Sequence, residues 1–215
     1  MTTSDIKDRI LNAAERIFAE QGLDAVSLRA VTTEAGVNIA AVNYYFGSKA
    51  ALLQAMTQRY FAPVNAEQLH RLELLETNTQ ELSIEAILHA YTTPIFAMFD
   101  AQRGREWMQA KIMAFRAEPS PHINSQTESE QDAEVISRYY EAMRRAIPHV
   151  PADELWWRFE RTRNLLMANQ SRRFMIPSES TSSESSKRDE RAWLITFLVG
   201  ALQAISTSEQ KRDSL

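Results

Sequence analysis

Cysteine is absent from this sequence, which excludes a disulfide framework, a thiolate nucleophile and any metal site built on sulfur. Histidine occurs only at His70, His89, His122 and His149, and no pair of them has metal-ligand spacing such as His-Glu-x-x-His. A Gly-rich phosphate loop and a nucleophile elbow are also missing. The carboxylates, although abundant, fall mostly on wet helix faces. Nothing here assembles a catalytic constellation, so the chain reads as a non-enzyme that takes no cofactor and no metal. Long apolar runs are missing too. The longest, Trp193 to Ile205, includes Thr196 and Gln203 and falls well short of the roughly 20 residues that span a bilayer. The segment Met1 to Ile10 carries Asp5 and Asp8 and no apolar run, unlike a signal peptide. These absences together predict a soluble, cytoplasmic protein with no membrane partner.

Glycine (5) and proline (7) are scarce in the 215 residues, while Ala, Leu, Glu, Gln, Arg and Met recur throughout, so local propensity favours helix. The expected fold is all-α, with about nine helices. Ile6, Ile10, Leu11, Ala14, Ile17 and Phe18 recur at helical intervals, and Gly22 suits the end of that first helix. A short second helix starts at Ser27 and stops at Gly36, and a third runs from about Ile39 to Phe46. Gly47 and Ser48 then lead into a fourth that carries Leu52, Leu53, Met56 and Tyr60. Beyond Pro63 the expected helices are Leu82 to Asp100, Arg103 to Ala117, Glu128 to Ile147, Ala152 to Ile176 and Lys187 to Ser206. The Ser/Glu-rich run from Ser178 to Ser186 reads as a loop. Residues 1–50 would form a three-helix helix-turn-helix domain, and residues 51–215 a larger helical domain for ligand binding and dimerisation.

The net charge of −4 is unfavourable for contact with phosphates, but its distribution is not uniform. From Ala25 to Arg59 the cations Arg29, Lys49 and Arg59 face a single acid, Glu34. In the same stretch Leu28, Val31, Ala35, Val37, Val42, Phe46 and Leu52 form an apolar set able to lock helices together. Asn38, Ile39, Ala40, Ala41, Asn43 and Tyr44 lie on the third helix or at its start. The small, neutral residues among them would let that helix approach base edges, where Ala can meet a thymine methyl and Asn can pair with adenine. Ser27, Tyr44, Tyr45 and Lys49 are placed to meet phosphates. Of the two tyrosines Tyr45 fits packing against the core better than contact with a phosphate, and Arg29 is either a DNA contact or an ion-pair partner of Glu34.

This segment resembles the DNA-binding domain of the TetR (tetracycline-repressor-like) regulators. The likeness covers about residues 6 to 60 and rests on Ala35-Gly36-Val37, Tyr44-Tyr45-Phe46 and Ser48-Lys49 followed by Leu52-Leu53. The resemblance implies a homodimer that binds a double-stranded operator and whose larger domain takes a small ligand, usually releasing DNA when liganded. Val37 to Tyr44 and Leu155-Trp156-Trp157-Arg158-Phe159 also look similar to fatty-acid or acyl-CoA responsive members, which implies a hydrophobic, acyl-type effector. The sequence departs from the broad family pattern at Ile39, where a polar or basic residue is frequent, and at Asn43, where an aromatic is commoner.

Phe99, Trp107, Met113, Phe159 and Met167 are candidates to line an apolar effector pocket, with Arg116 or Arg163 as polar anchor. The same residues also suit an ordinary core. Trp193, Leu194, Phe197, Leu198, Ala201 and Ile205, with Gly200, make a broad apolar face on the last helix. Trp156, Trp193, Phe197, Gly200 and Ala201 are therefore the candidate dimer contacts. The competing function is a helical interaction module without sequence-specific DNA binding.

Overall fold

The computed structural model describes residues 3–22, 25–78, 81–101, 130–175 and 184–206. Among these residues there are eight helices and no strand: α1 Thr3–Gln21, α2 Leu28–Ala35, α3 Ile39–Phe46, α4 Lys49–Asn78, α5 Ile84–Asp100, α6 Glu130–Ala146, α7 Ala152–Met175 and α8 Glu184–Gln203. The helix expected at Arg103 to Ala117 lies outside the described residues. Two compact units emerge, one made of residues 1–64 and 97–133, the other of residues 65–96 and 134–215. All three divisions fall inside a helix, just after Pro63 in α4, just after Pro94 in α5 and in the first turn of α6.

The first unit is built on the expected period. Ile10, Leu11, Ala14, Ile17 and Phe18 of α1 are buried, as are Val31 and Ala35 of α2 and Val42 and Phe46 of α3, on which α1 packs, and Leu52 and Met56 of α4. Arg59 of α4 reaches α1, donating to Asn12 Oδ1 at 2.8 Å and Glu15 Oε1 at 3.4 Å, with Asp8 at 3.8 Å. These partners share one face of α1, four and three residues apart.

In the second unit, α4 differs from the expectation. Instead of stopping near Pro63, it runs 30 residues to Asn78. Its inward positions here include Asn65, Gln68 and Leu72, so two polar residues interrupt the apolar stripe by which a helix is read. Gln68 has a partner for its side chain, whose Nε2 donates to the Tyr91 carbonyl at 2.7 Å, while its main-chain carbonyl accepts from the Tyr139 hydroxyl at 2.8 Å. Satisfied in this way, a buried amide costs little. The rings of Tyr91, Tyr139 and Phe159 meet edge to face, at centroid distances of 4.9 and 5.7 Å from Tyr91. Glu76 near the end of α4 pairs with Arg138 and Arg145 of α6.

The other differences are smaller. The helix expected from Lys187 begins at Glu184, so Ser185 and Ser186 are helical; Ser and Glu are well accommodated in a first turn. It ends at Gln203, where Arg158 of α7 takes over the last carbonyls, donating to Leu202 and Ala204 oxygens at 2.7 and 2.8 Å.

Candidate nucleic-acid interface

Three successive helices open on the side chain of the residue before them. Ser27 Oγ accepts from the Ala30 N–H at 3.1 Å, Asn38 Oδ1 from the Ala41 N–H at 2.8 Å, and Ser48 Oγ from the Ala51 N–H at 3.1 Å. Each satisfies a backbone donor that the first helical turn leaves unpaired. Between α2 and α3 the chain reverses at Gly36, whose φ of +61° is left-handed, and the Val37 N–H closes back on the Thr32 carbonyl at 3.1 Å.

Arg9 of α1 holds this turn. Its Nη2 donates to the Ala35 carbonyl at 2.6 Å and the Gly36 carbonyl at 3.3 Å, which places a cation at the negative end of α2. A Cβ at position 36 would lie 3.2 Å from that same nitrogen. The left-handed backbone angle is what favours glycine there, and a side chain would also press on the guanidinium by a few tenths of an ångström.

With the turn held, α3 divides cleanly. Val42 and Phe46 are buried, Ala41 and Tyr45 are half-buried at the margins, and Ile39, Ala40, Asn43 and Tyr44 face outward. Tyr44 is 81% exposed and Ile39 48%; the Tyr44 ring leans edge-on against Tyr45 at 5.2 Å. Ser27, Arg29, Asn38 and Lys49 are exposed as well. All ten candidate DNA contacts thus fall in one unit, between the start of α2 and the start of α4. The expected alternatives for Arg29 are resolved in part, because Glu34 forms its ion pair with Arg16 of α1. Arg59, counted with the basic stretch in the sequence, is turned to α1 and its acids. Exposed positive charge within that stretch therefore comes from Arg29 and Lys49, on either side of α3 in the chain.

Residues 10–56 match the family described as bacterial regulatory proteins, tetR family, and residues 89–201 match a tetracyclin repressor-like C-terminal domain. The chain belongs to the tetR family. Among its relatives, the probable transcriptional regulator YttP of Bacillus subtilis is 31% identical over 55 residues, which cover 26% of this chain and 27% of that protein. The transcriptional repressor NicS of Pseudomonas putida is 30% identical over 86 residues, covering 40% of this chain and 41% of that one. The chain thus aligns with less than half the length of either relative. A TetR-family regulator of Mesorhizobium loti, 16% identical, superposes with a TM-score of 0.56 over 95% of this chain and 96% of its own, a likeness of fold. Both curated relatives are described as transcriptional regulators rather than enzymes, in line with the reading of the sequence.

The remaining candidates belong to the part of the chain matched by the TetR C-terminal domain. Phe99 is buried in the first unit, whereas Phe159, Arg163 and Met167 lie on α7 in the second; Phe159 is buried and the other two are half-buried. Neither unit by itself brings these four together. Trp107, Met113 and Arg116 lie outside the described residues. An open depression between α1 and α2 is lined by Arg9, Asn12, Arg16 and Glu34 and includes none of the effector candidates.

The dimer candidates share a property. Trp193 is 69% and Phe197 63% exposed, and Gly200 and Ala201 continue the same outward line on α8. Trp156 on α7 is also exposed, with its ring edge-on to Tyr140 at 5.2 Å. Leu198, which the sequence grouped with them, is instead buried together with Ile195 and Leu202. The helix is apolar on two faces, one for its own unit and one left outside.

Sequence reading missed the residues that set the site from behind. Arg9 and Arg16 sit on what looks like the wet face of α1, and no local pattern marks a guanidinium that reaches a turn 26 residues away. One signal was present: a cation is the natural partner for the unpaired carbonyls at the end of α2.

Proposed function

We propose that the protein is a homodimeric, cytoplasmic transcriptional repressor that binds a pseudo-palindromic operator and is released from it by a small hydrophobic effector. The observation that carries this reading is the outward face of α3: Ile39, Ala40, Asn43 and Tyr44 exposed on a helix anchored by Val42 and Phe46, within a tetR-family head. A helix presenting small and hydrogen-bonding side chains in this way fits the major groove. Ser27, Tyr44, Tyr45 and Lys49 would hold the register on phosphates, and Arg29 would join them. In this division, residues 1–50 read DNA, and residues 51–215 dimerise and respond to effector.

Two helix-turn-helix heads must sit about 34 to 36 Å apart to read successive major grooves. The uncovered line of Trp193, Phe197, Gly200 and Ala201, with Trp156, supports a second copy as the source of the other head. Repression is supported by the relative NicS, itself a repressor. For the effector, Arg163 and Met167 stand one turn apart on α7, both half-buried, with Phe159 in the core a turn before them; a cation next to an apolar side chain suits an acyl-type ligand with a polar head. A coupling of about 1 to 3 kcal/mol would lower DNA affinity roughly 5- to 150-fold.

The test is selection of duplexes from a random pool on the full-length protein at low salt, followed by a salt titration of the best duplex. An enriched inverted repeat whose affinity falls steeply with salt is the expected result. Lys49→Ala should weaken the selected and a random duplex alike and reduce the salt slope by about one. Folded, dimeric protein that enriches nothing, and from which extraction recovers no small molecule, would instead make this chain a helical interaction module.

A further inference from the structure

We infer that α3 reads A·T base pairs, with Ile39 and Ala40 against thymine methyls and Asn43 on adenine, so that the operator half-site is A·T at the steps this helix covers. The inference rests on the DNA-reading function proposed above and assigns its base preference.

Guanine offers two acceptors in the major groove, and the usual reader of that pair is an arginine or lysine. From Ala35 to Ser48 no residue carries a charge. The nearest exposed cations, Arg29 and Lys49, belong to the first turns of α2 and α4, outside the reading face.

What the face offers in their place is apolar. Among the described residues of the first unit, Ile39 and Tyr44 are the large apolar side chains left exposed, while those of α1, α2 and the inner side of α3 are buried or half-buried. An isoleucine in water gains nothing from its own fold. Against the C5-methyl of thymine, the one apolar group that a base edge presents in the major groove, it gains contact area. Ala40 is exposed next to it and is small enough to let the backbone approach.

The two asparagines are separated by their local bonds. Asn38 commits its carbonyl oxygen to the cap of α3, accepting from Ala41 at 2.8 Å, so the donor-acceptor pair that adenine requires would have to share that oxygen with the cap. Asn43 lies one turn after Ile39 on the same exposed face, and its amide can supply both. Asn43 is therefore the adenine reader and Asn38 the cap.

The experiment replaces each thymine of a duplex selected on the full-length protein by uracil, one at a time. This removes the methyl and leaves pairing and charge unchanged. At the thymines under α3 each replacement should weaken binding about fourfold, the worth of one buried methyl-sized group. The penalty at one of these positions should vanish in Ile39→Ala and survive in Ile39→Val, a variant that retains a branched apolar side chain should the alanine protein fold poorly. Asn43→Ala should relax the preference at an adenine roughly tenfold. Selected half-sites with G·C at the steps under α3, or uracil replacements that change nothing there, would overturn the inference while leaving DNA binding intact. A pool that enriches nothing would remove the DNA-reading function, and this inference with it.

Discussion

Arg9 and Arg158 perform one task in the two units of the chain, and their surroundings give it different weight. Each guanidinium crosses from one helix to the last carbonyls of another: Arg9 to Ala35 and Gly36, Arg158 to Leu202 and Ala204. Arg158 is only 9% exposed and also bonds Glu154 at 2.5 Å, which in turn accepts from the Ser206 hydroxyl at 2.6 Å. Arg9 is half-buried at the surface of the head. Water can replace much of what Arg9 supplies, but it cannot enter to replace Arg158. The first unit thus uses the device to aim a turn, and the second uses it as a buried node.

The units also expose apolar surface for different partners. In the first it is Ile39 and Tyr44 on a short helix that begins after a cap. In the second it includes Trp193 and Phe197 on α8 and Ile205 just beyond its end, besides Trp156, Trp157 and Leu165 on α7. The first set is sparse and mixed with polar groups, as suits a base edge; the second includes a stripe along α8, as suits a copy of itself.

The largest expected effect breaks the second partnership. Phe197→Glu should convert a sedimenting dimer into a single chain with its helix content retained. In a two-fold interface the residue counts twice, so the loss is about 3 to 6 kcal/mol. A dimer that persists would detach this stripe from dimerisation.

Next in size is Arg158→Met, which leaves two carbonyls and the Glu154 carboxylate without their cation. Urea unfolding should show a loss of about 3 to 5 kcal/mol. Arg9→Met in the same assay should cost about 1 kcal/mol yet weaken operator binding; equal losses for the two variants would mean that burial does not set the difference. Gly36→Ala acts on the same turn, forcing a side chain into a left-handed backbone against Arg9, and should cost about 1 to 2 kcal/mol with reduced operator affinity.

The smallest effect is a pH dependence in the second unit. Partial burial pushes the Glu76 carboxyl up, but the hydrogen bonds and charges of Arg145 and Arg138 outweigh it and hold the group below its ordinary value of 4.5. A carboxyl depressed on folding contributes above its unfolded value, and that contribution is lost as pH falls through the folded one. The stability advantage of the wild type over Glu76→Gln, under about 1 kcal/mol for so accessible a cluster, should be complete at neutral pH and shrink below 4.5. A pH-independent difference would remove the ion pairs as its cause.

Much of the first unit was legible because its signals are local. The period of Ile10, Leu11, Ala14, Ile17 and Phe18 predicted the buried face of α1, Ser27 capped the helix it was expected to open, and Gly36 took the left-handed turn. The second unit was less legible at α4. Asn65 and Gln68 break the apolar pattern, and Gln68 is tolerated inside because the Tyr91 carbonyl accepts from its side-chain amide there. A satisfied polar residue looks the same in sequence as an exposed one.

By itself the sequence determined an all-helical chain, the caps and turns of the head, and the uncharged character of the helix that faces outward, since each follows from neighbours a few residues apart. Tertiary structure alone decided that Arg9 holds the turn, that Arg16 rather than Arg29 takes Glu34, and that Leu198 turns inward while Phe197 stays out. Those outcomes depend on which groups a distant helix brings alongside. A helix apolar on two sides, or a cation on a mixed surface, has no preferred partner until packing removes the water from one of them.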